Sequence, residues 1–144
     1  MKNEDNEPKE YFERNIVFVG TIAAIGLGLD YLAYYVLRQA NPWGALIAVP
    51  GIAISLQSLW LSIHPYAIVF EDRFIIKRSL FYNKQFVYLD AKAIEKTNSS
   101  YFTMIYNDND KVRLSIIGLR GKHKELFYKK LQEKIGESVS NRNF

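Results

Sequence analysis

Two uninterrupted apolar stretches near the N-terminus constrain the fold more than any other feature of this chain. Residues 16–37 carry a single charge, Asp30, and residues 43–63 carry none. As α-helices that rise about 1.5 Å per residue, each is roughly 30 Å long, which matches the hydrocarbon core of a bilayer. The short link between them, residues 38–42, predicts an antiparallel helical hairpin that crosses the membrane twice.

Basic residues near the two stretches predict the orientation of this hairpin. Three lie in the N-terminal segment and four in residues 64–84, whereas the link contains only Arg38. Because Lys and Arg are enriched on the cytoplasmic side of membrane spans, we expect both termini in the cytoplasm, at the cytoplasmic (inner) membrane. The N-terminal segment is net acidic and the first stretch is long, which argues against a cleaved signal peptide.

The patterns divide the chain into four regions. We expect a flexible cytosolic tail over residues 1–15, with a helical turn near Tyr11 and Phe12. The transmembrane hairpin takes residues 16–64, a cytosolic domain takes residues 65–137, and a frayed tail takes residues 138–144. The fold class is therefore α+β.

Beyond residue 65 the apolar periodicity changes from helical to strand-like. Six strands are predicted, at residues 66–70, 74–77, 86–89, around 91–94, 101–106 and 111–117. A helix follows from Gly121 to about Ile135, with Phe127, Leu131 and Ile135 forming an apolar stripe beside Leu126. Gly136 is the predicted C-terminal stop of this helix.

This order of elements resembles the small bacterial two-span membrane proteins that carry a C-terminal PH-like domain. The resemblance rests on YAIVFEDRFIIKRSLFYNKQFVYLDAKAIEK at residues 66–96 and on HKELFYKKLQEKI at residues 123–135. It implies a β-sandwich or partly open barrel capped by a C-terminal α-helix. A complete sandwich of this kind has seven strands, and the missing strand is expected near residues 81–88 or 98–102. The resemblance also implies binding at the membrane, and it brings no catalytic residues.

Composition excludes several kinds of chemistry. The chain has no cysteine, which rules out disulfides and thiolate chemistry, and its two histidines are far apart, so we expect no metal site and no cofactor.

Residues 66–144 hold 15 Lys and Arg against 9 Asp and Glu. We attribute this basic balance to anionic lipid rather than to nucleic acid. Four cations near the end of the second apolar stretch form the candidate lipid-binding or partner-binding site: Arg73, Lys77, Arg78 and Lys84. The alternative for these four is a solvated sheet edge protected by charge.

Polar residues inside the apolar stretches are a second candidate site. Asp30 is expected at the depth of Pro50, where a protonated carboxyl would reach the free carbonyl of Leu46 or a water; alternatively, it lies near the headgroups beside neighbouring tyrosines. Gln57 and the serines of the second stretch either line a polar path or bond across the helices.

Small residues recur every four positions in both stretches and are expected to hold the hairpin together or to pair two copies of it. They are Gly20, Ala24 and Gly28 in the first stretch and Gly44 and Ala48 in the second.

These features favour a membrane-anchored interaction module that is not an enzyme. Its expected partners are the lipid bilayer, an unidentified membrane or cytosolic protein, and a second copy of the chain. The basic hairpins and an open sheet edge are the predicted binding surfaces. One alternative is a self-protection protein that guards its membrane against a toxin or bacteriocin. Another is a small proton-coupled or ion-coupled membrane component that uses Asp30.

Overall fold

The computed structural model describes residues 7–142, which fold into two compact units. The helical unit contains residues 16–64 together with the three residues Ser79–Phe81. The sheet unit contains the described residues before position 16, residues 65–78 and residues 82–142. The N-terminal segment thus belongs to the same unit as the C-terminal domain.

The helical unit is built on two helices, α1 (Ile16–Arg38) and α2 (Trp43–Ile63), which are long and apolar enough to cross a membrane. Only 17% of the residues in the most apolar part of each helix are buried. A core helix of a soluble domain buries its apolar side chains, whereas these helices leave most of theirs exposed. At the link, Ala40 adopts the left-handed conformation (φ 54°), and its N–H donates to the carbonyl of Leu37 at 2.9 Å.

The two helices pack largely through residues, most of them small, that recur every seven positions, as in an antiparallel coiled coil. The buried residues are Val19, Gly26 and Ala33 on α1, and Gly44, Gly51, Ser58 and Leu61 on α2. The prediction that Gly20, Ala24 and Gly28 hold the hairpin together is wrong, because all three are exposed and the two glycines have open space around them. Pairing of two copies through this stripe stays a prediction.

The sheet unit contains two antiparallel sheets and one helix. The first sheet has the order β1–β2–β3–β4, and the second has the order β5–β6–β7. Their bounds are β1 Glu10–Phe12, β2 Ala67–Val69, β3 Arg73–Lys77, β4 Asn83–Val87, β5 Ala91–Lys96, β6 Tyr101–Tyr106 and β7 Lys111–Ser115. Helix α3 spans Gly121–Arg142. The predicted strand at residues 86–89 is displaced, since β4 ends at Val87 and a 3₁₀ turn, Tyr88–Asp90, follows it.

The seventh strand precedes the helical hairpin instead of lying within residues 65–137. Strand β1 pairs with β2, with Phe12 opposite Ala67 and Glu10 opposite Val69. The Phe12 side chain is only 5% exposed and lies against the ring of Phe127, with centroids 4.8 Å apart. The prediction of a flexible tail with a helical turn near Tyr11 and Phe12 is therefore wrong for the described residues. Residues 1–6 lie outside the described part of the chain.

Helix α3 completes the core of the sheet unit. Phe127, Leu131 and Ile135 are buried as predicted, whereas Leu126 is exposed. The helix continues past Gly136 to Arg142, so the predicted stop and frayed tail are wrong up to that residue. Two contacts explain the extra turns: Val139 packs against the core, and an Nη of Arg142 donates to the Ala91 carbonyl at 2.8 Å.

Candidate functional site

The four predicted cations do not form one patch. Arg73 and Lys77 occupy the two ends of β3, whereas Lys84 on β4 lies opposite Ile76 and therefore faces the other side of the sheet. Arg73 is bound to its neighbour Asp72 at 2.8 Å, and its guanidinium lies 4.9 Å from the centroid of the Phe70 ring. Arg73 is thus separated from the other three by the length of the strand.

Arg14, instead of Arg73, lies close to Lys77. An Nη of Arg14, in the segment between β1 and α1, donates to the carbonyl of Lys77. We call Arg14, Lys77, Arg78 and Lys84 the basic end of the sheet unit. Lys77, Arg78 and Lys84 form no ion pair with any described residue. Lys77 and Arg78 are therefore available to an external anion, whereas the Lys84 ammonium lies 5.1 Å from the centroid of the Phe86 ring.

Tyr66 lies at the centre of the basic end. The guanidinium carbon of Arg14 is 5.8 Å from the centroid of the Tyr66 ring, and the charge of Arg78 also acts on this tyrosine. The Tyr66 hydroxyl donates to the carbonyl of Ser115. Burial raises the pKa of Tyr66 to about 12, against the opposing effect of the two arginines. The ring is thus a neutral, rigid support for the cations around it.

Arg14 is itself partly withdrawn from water. Desolvation lowers its pKa from 12.5 to about 10, so it remains a cation at neutral pH. Sequence reasoning missed Arg14 as a site residue, because its position depends on pairing between β1 and β2, whose residues lie on opposite sides of the hairpin.

The basic end also lies next to the hairpin along the chain. Arg14 precedes the first residue of α1 by two positions, and Tyr66 follows the C-cap of α2, His64, by two positions. The backbone holds these flanks in place: the N–H of Asn15 donates to the carbonyl of Gly118, and the N–H of Tyr66 donates to that of Phe12, both at 2.8 Å. Arg14 and Tyr66 therefore lie at the two points where the chain leaves the sheet unit for the apolar helices and returns from them.

A shallow groove of about 420 Å³ lies between β1 and α3. Tyr11 and Leu126, both more than half exposed, are among its lining residues, and a Lys130–Glu10 ion pair at 3.2 Å lies in it. The Nδ1 atom of His123 accepts the N–H of Glu13 at 3.2 Å. Among residues 7–142 there is no group of three or more His, Cys, Asp or Glu side chains that could hold a metal ion.

Asp30 faces the second helix. The hydroxyl of Ser55 donates to Asp30 Oδ2 at 2.7 Å, while Oδ1 is buried without a hydrogen-bond partner in the described part of the chain. Gly51 gives the carboxylate its space, since a Cβ there would lie 2.3 Å from Oδ1. The predicted contact with the Leu46 carbonyl is replaced by the hydrogen bond to Ser55, which lies about two and a half helical turns further along α2. The neighbouring Tyr31, Tyr34 and Tyr35 are exposed, so Asp30 points away from them.

The other polar residues of α2 do not bond across to α1. The hydroxyls of Ser58 and Ser62 donate to carbonyls of their own helix, those of Ser55 and Ser58, at 2.8 Å. The side-chain oxygen of Gln57 accepts the backbone N–H of Leu80, in the loop between β3 and β4, at 3.0 Å. The interpretation of bonds across the helices therefore holds for Ser55 alone among these residues.

No family model, curated protein or solved structure matches this chain.

Proposed function

We propose that this chain is a two-span membrane protein whose sheet unit is a PH-like binding module, rather than an enzyme, at the cytoplasmic face of the inner membrane. The observation that carries the proposal is the pairing of β1 with β2 on either side of the helical hairpin. Because the two strands share one sheet, the two ends of the hairpin are fixed next to each other.

The PH-like assignment is supported by the count and order of elements. Four antiparallel strands, then three, then one C-terminal helix make up the sheet unit, and Phe127 of that helix lies in the core. The chain differs from the expected arrangement by having the hairpin inserted after the first strand instead of before the whole domain. This insertion accounts for the strand that was missing from residues 65–137.

The membrane assignment is supported by exposed apolar side chains along both helices. Val17, Leu27, Val49 and Ile63 are each at least 65% exposed, a pattern that is stable in lipid and unfavourable in water. Adjacent hairpin ends require both to emerge on the same side of a bilayer. The cations of the basic end favour the cytoplasmic side, where anionic lipid is abundant.

The ligand class that the basic end favours is the anionic lipid headgroup. Arg14 lies two residues before the first proposed span and donates to the carbonyl of Lys77, and the guanidinium of Arg78 can engage a phosphate with two parallel N–H donors. Each basic residue near an anionic leaflet contributes about 1 kcal/mol, so three cations without ion pairs favour such lipids strongly. The groove between β1 and α3 offers a separate surface for a protein partner.

The experiment compares bound lipids on the full chain and two triple variants. Each protein is purified in detergent with equal phosphatidylglycerol and phosphatidylcholine, and bound lipids are counted by native mass spectrometry. The test variant carries Lys77→Gln, Arg78→Gln and Lys84→Gln. The control carries Lys92→Gln, Lys111→Gln and Lys122→Gln, which remove the same charge from exposed positions.

We expect phosphatidylglycerol to be enriched on the unmodified chain and on the control. In the test variant that enrichment falls by more than about tenfold, since three lost cations at about 1 kcal/mol each remove about 3 kcal/mol and 1.4 kcal/mol is tenfold. Equal enrichment on both variants would mean that only overall charge matters, and it would contradict a headgroup site at the basic end.

A second candidate function, a proton-coupled or ion-coupled membrane component, is favoured by the Asp30 geometry. One carboxylate oxygen is bound by Ser55 and the other is buried without a described partner. Ionisable residues inside spans are costly and commonly serve transport. Purified chain in vesicles with an imposed pH gradient would then show proton flux that Asp30→Asn abolishes. Identical flux in the variant and in the unmodified chain would exclude this function.

A further inference from the structure

The loop between β3 and β4 has a composition that is unusual for a turn. Residues at such tips are normally Gly, Asn, Asp, Ser or Pro, which satisfy tight backbone geometry and remain in water. Here Leu80, Phe81 and Tyr82 follow one another, and all three are exposed, Phe81 by 92%. Three consecutive exposed apolar residues indicate a surface that meets an apolar environment.

This loop is part of the helical unit. The segment Ser79–Phe81 clusters with α1 and α2, although the strands on either side of it belong to the sheet unit. Its attachment point is Gln57, whose Oε1 accepts the N–H of Leu80 at 3.0 Å. Gln57 lies six residues before the end of α2, Ile63, which corresponds to a depth of about 9 Å along the helix.

The hydrogen bond from Leu80 to Gln57 satisfies a backbone polar group that lipid could not satisfy. Non-helical backbone at membrane depth is tolerated only where its polar groups find partners in the protein. Gln57 supplies an acceptor to the loop and, in return, its own amide oxygen is satisfied within a mostly apolar helix. This pairing gives a glutamine in a membrane span a specific structural purpose.

The charges that flank the loop complete the pattern of an interfacial insertion. Lys77 and Arg78 precede it and Lys84 follows it. Lipid phosphates lie immediately outside the acyl region, so an apolar tip between cations places each group in its preferred layer. Tyr82, with an apolar ring and a polar hydroxyl, suits the boundary between the two layers.

We propose that residues 79–81 insert into the acyl region of the same bilayer beside α2, docked on Gln57, with Phe81 as the deepest side chain. The proposal rests on the proposed span of α2 and adds to it a third membrane-embedded element. The occupant is lipid rather than a protein, because the loop is bound to a helix on which apolar side chains, such as Leu56 and Leu59, are exposed.

The test uses the absence of cysteine from the chain. Single variants Phe81→Cys, Ile52→Cys and Glu95→Cys are labelled with an environment-sensitive fluorophore in the full-length protein in phosphatidylcholine–phosphatidylglycerol nanodiscs. All three positions are exposed, so labelling leaves the core intact. A label at position 52 reports the environment of the middle of α2, and a label at position 95 reports the environment of strand β5 in the sheet unit. Lipids brominated at a defined acyl depth quench only labels that reach the hydrocarbon.

We expect the labels at positions 81 and 52 to emit at shorter wavelength than the label at 95 and to lose intensity with brominated lipid, whereas the label at 95 is unaffected. Adding Gln57→Ala to Phe81→Cys should reduce the quenching at position 81 and leave quenching of a label at 52 in the same background unchanged.

Three results would overturn the proposal. If position 52 is quenched and position 81 is not, the loop inference fails while the span stands. If neither is quenched, the span and the loop both fail. If position 81 is shielded from aqueous iodide and also from brominated lipid, its occupant is a protein surface.

Discussion

The backbone N–H of Tyr66 donates to the carbonyl of Phe12 at 2.8 Å, although the entire helical hairpin separates the two residues in the chain. This bond continues the β1–β2 ladder to the point where the chain leaves the sheet for α1 and returns from α2. A second backbone pairing also involves the segment after β1: Arg14 forms an antiparallel bridge with Leu119, which follows β7. The sheet unit is thus closed by residues on both sides of the hairpin.

The ladder predicts that the hairpin can be removed without unfolding the sheet unit. A chain that joins residues 7–15 to residues 65–142 through a short Gly–Ser linker should be soluble and show cooperative thermal unfolding by circular dichroism. Residues 65–142 alone should be less stable, because they lack β1 and expose the core surface that Phe12 covers. Equal stability of the two chains would contradict the role of β1.

Phe12 is predicted to be the main contribution of the N-terminal segment to stability. Phe12→Ala in the hairpin-deleted chain should lower the free energy of unfolding by about 3–5 kcal/mol, because it leaves a cavity next to Phe127. Tyr11→Ala is the matched control, since Tyr11 is 58% exposed and should change stability by less than about 1 kcal/mol. Similar losses in urea denaturation for the two variants would show that β1 does not pack as described.

Glycine positions distinguish the packed face of α1 and α2 from the exposed one. Gly26→Ala and Gly51→Ala should destabilise the hairpin by about 1–3 kcal/mol, because the new Cβ atoms would lie 2.7 Å from Ser55 Oγ and 2.3 Å from Asp30 Oδ1. Gly20→Ala and Gly28→Ala meet open space and should be neutral or slightly stabilising within one chain. Thermal unfolding in detergent checks this order, and the reverse order would refute the described interface.

Stability should fall in alkaline solution because of Tyr66. Burial raises its folded-state pKa to about 12, above the value of 10 for an unperturbed tyrosine. The neutral phenol therefore stabilises the fold fully below pH 10, and this contribution is lost as the pH rises towards 12. Tyr88 acts in the same direction and Arg14 in the opposite one, so the difference from Tyr66→Phe isolates Tyr66. Parallel curves of unfolding free energy against pH for the two proteins would contradict this assignment.

Local and long-range features of the fold differ in how well the sequence predicted them. The bounds of α1 and α2 follow from uninterrupted apolar composition, and the burial of Phe127, Leu131 and Ile135 follows from their spacing by four. Strand β1 has only three residues, and its partner lies beyond the hairpin, so no local pattern marks it. Its absence from the prediction also hid the role of Arg14.

The same limit explains the other errors. A spacing by four, as in Gly20, Ala24 and Gly28, can occur on any face of a helix, and only the partner helix decides which face is packed. Gly136 resembles a helix stop, but Arg142 bonds to Ala91 and extends α3 past it. Gln57 was expected either to line a polar path or to bond across the helices, whereas its partner comes from a loop that follows in the next region of the chain.

The most direct test of the two-span proposal is to measure on which side of the membrane the link and the sheet unit lie. Gln39→Cys in the link and Glu95→Cys in β5 are both exposed in a chain that has no other cysteine. The account predicts that a membrane-impermeant maleimide added to intact spheroplasts labels position 39, and labels position 95 only after permeabilisation. Labelling of both positions from outside, of neither after permeabilisation, or recovery of the protein in the soluble fraction would contradict it.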